Sequence, residues 1–184
     1  MATAKCLTNM SVVLKNIPHL LTPDLLLGLA RMGHGDDVAV VDANFPAHRL
    51  ARQAGVPLVQ LPGVSSTEVL AAVLHVLPLD DFEAHCAWSM QVVGEPERTP
   101  DAVTQFRALV AQHSTSPVLP LERFAFYEHT RSVSLVVQSG DLRKYANIVL
   151  RNFGLAMFLA TVGINAGQPF VRTVSDTGLT MLFV

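Results

Sequence analysis

The sequence predicts an α/β fold, a single layered domain with a largely buried sheet flanked by helices. Two observations lead there. Short, continuous apolar runs occur at VAVVD (38–42), VPLVQ (56–60), CAWSMQVV (86–93), SVSLVVQ (132–138) and NIVL (147–150). Such runs have the pattern of strands covered on both faces. Between several of them lie segments with clear helix punctuation, and strands alternating with helices build layers around one sheet.

The helices follow in chain order. In LLTPDLLLGLARMG (20–33), Thr22 is placed as an N-cap, Pro23 at the first helical position and Asp24 at the positive helix end. Leu25, Leu26, Leu29 and Met32 share a face, and Gly33 is the expected stop. Ser65 and Glu68 form a capping box before a helix that should run to about Leu77, where Pro78 intervenes. Thr99 and Pro100 open a further helix toward His113. The Ser139-Gly140-Asp141 turn leads toward the last strand.

The composition narrows the function classes. The chain has 184 residues, enough for one domain with a full core, and half of them are hydrophobic. The net charge is −2 with scattered Lys and Arg, so nothing favours a nucleic acid as partner. Two separated cysteines, Cys6 and Cys86, argue against a disulfide framework or zinc site and fit a reducing cytoplasm. Residues 1–9 lack the apolar core of a signal peptide and, with Met10 reading as a second start, are expected to be a dispensable extension. No stretch reaches the ~20 apolar residues of a membrane span. Residues 152–184 form an apolar tail without a clean period. Dinucleotide and P-loop signatures are absent, as are GxSxG and HExxH, and the histidines lack metal-ligand spacing.

Several residues are candidates for chemistry. His34 lies between Gly33 and Gly35 after a helix end. A histidine titrates near ~6.5, and flanking glycines let its ring approach a ligand closely. It can equally be a helix cap. Asp42 ends a buried strand, where α/β sheets tend to bind ligands, and its carboxylate can accept two sugar hydroxyls; it can also cap the turn ANFPAH. Four extended residues, Val38–Val41, separate the two groups by ~13 Å. They meet at one site only if the loop folds back or a subunit interface joins them. Arg123, a fixed fork of donors, and Tyr127 lie in ERFAFYEH (122–129), which also reads as an amphipathic segment with Phe124 and Phe126 in the core. Tyr145 and Asn147 precede a buried strand, and Asp80 follows a helix-ending proline; both placements also suit turns.

In this order, LLTPDLLLGLARMGHGD, DANFPAH, VLPLD, ERFAFYE and KYANIVL resemble the L-fucose mutarotase and D-ribose pyranase family. The resemblance runs from Val13 to Arg151, and GHGD with RFAFYE resembles the fucose branch. It implies a mutarotase-like domain over 10–151 that interconverts the anomers of a free monosaccharide without a cofactor or metal. It also implies a homo-oligomeric ring, of decamer type, with sugar pockets near subunit contacts. It makes His34 the general acid and Tyr127 a second catalytic residue. Asp42, Asp80, Met90, Arg123, Tyr145 and Asn147 would contact the sugar. D-ribose pyranase activity and sugar binding without turnover stand as alternatives. The tail from Asn152, and QLPGV in place of a usual Arg-Ala-Asp-Gly-like segment, depart from the family pattern.

Overall fold

A computed structural model describes residues 14–80, 82–154, 163–167, 169 and 171–172. The expected extension 1–9 and most of the tail lie outside these residues. Six strands form one sheet: β1 (Asp37–Val41), β2 (Leu58–Leu61), β3 (Ala87–Met90), β4 (Leu119–Leu121), β5 (Leu135–Ser139) and β6 (Ile148–Arg151). Their order is β2-β5-β1-β6-β3-β4. β6 runs antiparallel between β1 and β3, while the remaining neighbours pair in parallel. The carboxyl ends of β1 to β5 therefore lie along one edge of the sheet, which β6 enters at Asn147 and leaves at Arg151.

Helices α1 (Pro23–Ala30), α2 (Ala47–Ala54), α3 (Ser66–Leu74), α4 (Asp101–Val110) and α5 (Arg123–Arg131) cover the sheet. One core packs Leu25, Val38, Leu70, Phe106 and Ile148 under α1, α3 and α4. Phe106 is fully buried, a burial that stabilises by ~1.5–3 kcal/mol. The second core packs Val41, Phe45, Leu50, Met90 and Phe126 under α2 and α5. Gly28 lets α1 press on β5, because a Cβ there would stand 2.9 Å from the Leu135 side chain.

The punctuation works largely as the sequence suggests. Thr22 accepts from the Leu25 N–H, and both arms of the Ser65–Glu68 capping box are formed. α1 nevertheless closes at Ala30, short of Gly33, whose N–H is taken by Asp36 Oδ2 at 2.6 Å. Phe124, expected in the core, is exposed, while Phe126 is fully buried. Three elements lie outside the expected set, the first of them α5, which forms where the sequence reads only as an amphipathic segment. α2 starts behind Pro46 and buries only Ala47, Leu50 and Ala51, too few apolar positions to announce it. β4 is a three-residue edge strand, where Pro120 is tolerated.

Candidate active site

Asp42 follows β1 at the carboxyl edge and is 3% exposed, with Asn147 opposite it 1% exposed. The Asp42 N–H donates to Asn147 Oδ1 at 2.8 Å, and Asn147 Nδ2 donates back to Asp42 Oδ2 at 2.8 Å. The Asn44 N–H donates to Asp42 Oδ1 at 2.9 Å. Burial pushes the Asp42 carboxyl above its ordinary range, outweighing the bonds from Asn147 and the neighbouring backbone N–H groups. The cost of removing a charge from water exceeds what these donors return.

Around this pair stand the other residues of the same edge. Tyr145 adopts φ +64°, a conformation rare for a bulky side chain, and its hydroxyl accepts from the Val93 N–H at 3.3 Å. Tyr127, on α5, packs edge-on against Phe45 at 5.4 Å and Phe124 at 6.4 Å. Arg123 opens α5 with its guanidinium 4.8 Å over the Phe124 ring. Its Nε is buried without a hydrogen-bond partner among the described residues, a donor left for something else. Met90 closes β3 and is buried in the second core.

His34 and Asp80 stand at the opposite edge. The His34 side chain is 35% exposed, and its Nε2 lies 3.9 Å from Asp80 Oδ2. Asp80 is fully buried. Its Oδ1 accepts from the Phe82 N–H at 3.1 Å, whereas Oδ2 has no hydrogen-bond partner among the described residues. Beside them Phe82, 69% exposed, stacks on Phe153 at 5.2 Å, and Phe153 meets the His34 ring edge-on at 5.6 Å.

Strand β1 thus holds the two groups apart by its full length, ~16 Å for five residues. The Gly33–Gly35 loop does not fold back toward Asp42; it is tied to Asn152 at the amino edge. A further polar cluster lies near that edge. Asp37 accepts from His129 Nε2 at 2.6 Å and from Arg151 Nε at 3.0 Å. Its own bonds to Asp37 hold the Arg151 guanidinium above its ordinary range, and it rests 5.0 Å over the Trp88 ring. Sequence reasoning passed over this cluster, although Asp37 and Arg151 bracket two otherwise apolar strands and pair directly across them. Among the described residues, no group of three His, Cys, Asp or Glu is placed to hold a metal ion.

A model of the RbsD / FucU transport protein family matches residues 15–153. The chain belongs to this family. Among family members, the fucose mutarotase of Homo sapiens is 38% identical over 151 residues, spanning 79% of this chain and 97% of its own. The crystal structure of FucU from Bifidobacterium longum has a TM-score of 0.71 at 33% identity, covering 77% of this chain and 99% of that one. The fucose mutarotase of Streptococcus pneumoniae, solved in complex with L-fucose, has a TM-score of 0.70 at 33% identity with the same coverage. A second model, described as a predicted permease membrane region, matches residues 130–184. Within that stretch, β5 and β6 are strands of the buried sheet, and no helix among the described residues is long and apolar enough to cross a membrane.

Proposed function

We propose that this protein is a mutarotase that interconverts the α and β anomers of L-fucose. The observation that carries the reading is the pair at the amino edge. The His34 side chain, 35% exposed, sets its Nε2 3.9 Å from a buried Asp80 carboxylate oxygen that has no hydrogen-bond partner among the described residues. The relatives supply the sugar.

Anomer exchange requires the pyranose to open and reclose. His34 hydrogen-bonds the ring oxygen through its Nε2–H as the C1–O5 bond breaks, and solvent water delivers the proton that this oxygen keeps. Tyr127 takes the proton of the anomeric hydroxyl and passes its own to solvent. The aldehyde rotates, and closure on the other face returns both protons. Nothing is oxidised and no covalent adduct forms. Each positioned proton-transfer group contributes roughly 10²–10⁴-fold. The buried Asp80 carboxylate, 3.9 Å from Nε2, keeps the ring turned so that Nε2 and not Nδ1 meets the sugar. Arg123 offers its Nε, without a hydrogen-bond partner among the described residues, to sugar hydroxyls and to developing negative charge at the anomeric oxygen.

The two edges are too far apart on one chain to serve one sugar. In the proposed assembly, a homo-oligomeric ring in the cytoplasm, His34 and Asp80 of one subunit face Arg123, Tyr127 and Tyr145 of its neighbour. Asp42 and Asn147 then brace the Tyr145 turn while Met90 packs beneath it. Phe82 and Phe153 offer an apolar wall to the C–H face of the sugar.

The test is proton-NMR saturation transfer between the α and β anomeric signals of L-fucose, with D-ribose alongside. Enzyme-dependent transfer for fucose, lost in a folded His34→Ala variant, is the expected result. Transfer for ribose alone would move the activity to the pyranase branch. Saturable binding with no transfer would make the protein a sugar-binding module.

A further inference from the structure

We propose that Asn152 and Gly154 are positioning residues for His34, fixing its ring in the tautomer that carries the proton on Nε2. The inference rests on the reading of His34 as the Nε2–H donor to the sugar's ring oxygen and adds how the chain prepares it.

The loop that carries His34 has a glycine on each side, so left to itself it would sample many conformations. Asn152 removes that freedom. Its backbone carbonyl accepts from the Gly35 N–H at 3.0 Å, and its own N–H donates to the Asp36 carbonyl at 2.8 Å. Its side-chain Nδ2 donates to the Gly33 carbonyl at 3.0 Å and to the Met32 carbonyl at 3.4 Å. The residue is buried, and a bridge to Leu79 ties it to the segment that carries Asp80. The side chain and both backbone polar groups of one residue therefore hold the loop on both sides of His34, in register with its carboxylate partner.

Gly154 then selects the tautomer. Its N–H donates to His34 Nδ1 at 3.4 Å. A neutral imidazole has one donor nitrogen and one acceptor nitrogen, so a donor aimed at Nδ1 leaves the proton on Nε2. Nε2 is the nitrogen that faces Asp80. In this form the ring is a neutral donor, the state in which an imidazole can polarise an oxygen without first becoming charged. Position 154 must be glycine for this approach. A Cβ there would stand 2.4 Å from the His34 backbone nitrogen and 2.6 Å from its Cα.

The experiment uses the full chain labelled with 15N-histidine and records long-range proton–nitrogen correlations, with His34→Gln identifying the His34 signals. The wild type should show Nε2 protonated and Nδ1 bare. Asn152→Ala should lose this single tautomer, and its kcat for anomer exchange should fall about 10–100-fold, the cost of a misplaced group, while KM moves less than about twofold. Gly154→Ala should act in the same direction, and Asn152→Ala keeps the proposal testable if that variant fails to fold. A proton found on Nδ1 in the wild type would overturn the proposal. So would an Asn152→Ala variant with the wild-type tautomer and rate. Absence of anomer exchange in the wild type, with the Nε2–H tautomer present, would instead defeat the mutarotase reading and leave the tautomer assignment standing.

Discussion

Replacing Asn147 by aspartate would set two buried carboxylates against each other. Asn147 Nδ2 now donates to Asp42 Oδ2 at 2.8 Å, and Oδ1 accepts from the Asp42 N–H at 2.8 Å. Asn147→Asp keeps the acceptor and turns the donor into a second oxygen. If both groups stayed ionised at that separation, repulsion at an effective dielectric of ~20 would cost about 6 kcal/mol. The alternative is a shared proton. Holding at pH 7 a proton that an unfolded carboxyl releases near ~3.9 costs about 4 kcal/mol, at about 1.36 kcal/mol per pH unit. The smaller cost wins, so the variant folds with the proton trapped and is less stable by about 4 kcal/mol, a large share of the ~5–15 kcal/mol of an ordinary domain. The sign follows from the raised folded pKa. Stability is whole below the unfolded value and is lost as pH rises, so the deficit should shrink to about 1.5 kcal/mol at pH 5. Wild-type Asp42 is shifted in the same direction by burial, so the wild type must be measured in parallel. Urea unfolding at pH 7, 6 and 5, at one protein concentration, reads the difference. A deficit equal at all three values would refute the shared proton.

Other outcomes follow from the same geometry. Tyr127→Phe should slow anomer exchange more than it weakens sugar binding, measured by saturation transfer beside titration calorimetry; an unchanged rate would remove Tyr127 from the mechanism. Asp80→Asn should lower exchange by about 10²-fold, because a neutral amide no longer attracts the Nε2–H of His34 and the ring loses its set orientation; a rate near wild type would show that the carboxylate is only structural. Asp141 accepts from the Ser66 N–H at the start of α3 and from Arg143. Burial alone would raise its pKa, but the bonds from Arg143 and the backbone N–H groups hold it below the ordinary range. Asp141→Ala should therefore cost about 1–3 kcal/mol at pH 7, and the loss should fade as pH drops through the depressed pKa, read from urea midpoints at pH 7 and pH 3.

What the sequence disclosed was what neighbouring residues decide. Thr22, Pro23 and the Ser65–Glu68 pair act within one turn of the chain, and the caps they foretell are formed. Apolar runs such as VAVVD need only be continuous to become interior strands. The helix α2 escaped because its inward face is two alanines and a leucine, made core by α5 and β5 rather than by its own pattern. Phe124 and Phe126 show the same limit. Their spacing placed both in one core, but a helix turns two such neighbours to different sides, and Phe124 instead lies under Arg123. The candidate site was legible as a set of residue types and opaque as a layout. Nothing in Gly-His-Gly announces that its loop is held from Asn152, more than a hundred residues along, or that Phe153 and Phe82 wall it.

The layout has one cause, the direction of β6. This strand enters beside Asp42, where Asn147 grips both the backbone and the carboxylate, and leaves beside His34, where Asn152 grips the loop. Four strand residues, Ile148–Arg151, join the two grips. They are buried or half-buried and bonded on both sides, to β1 and to β3, so their length cannot change without breaking the centre of the sheet. The distance between the His34 edge and the Tyr145 edge is therefore as fixed as a strand length, ~13 Å for four residues, well beyond what one sugar ring spans. Under the proposed function a hinge or a moving loop cannot close that gap, and a second chain must. Dilution below the assembly threshold should then abolish exchange while each chain stays folded. Fucose exchange that persists in folded monomers would refute the two-chain site without touching the assignment of His34.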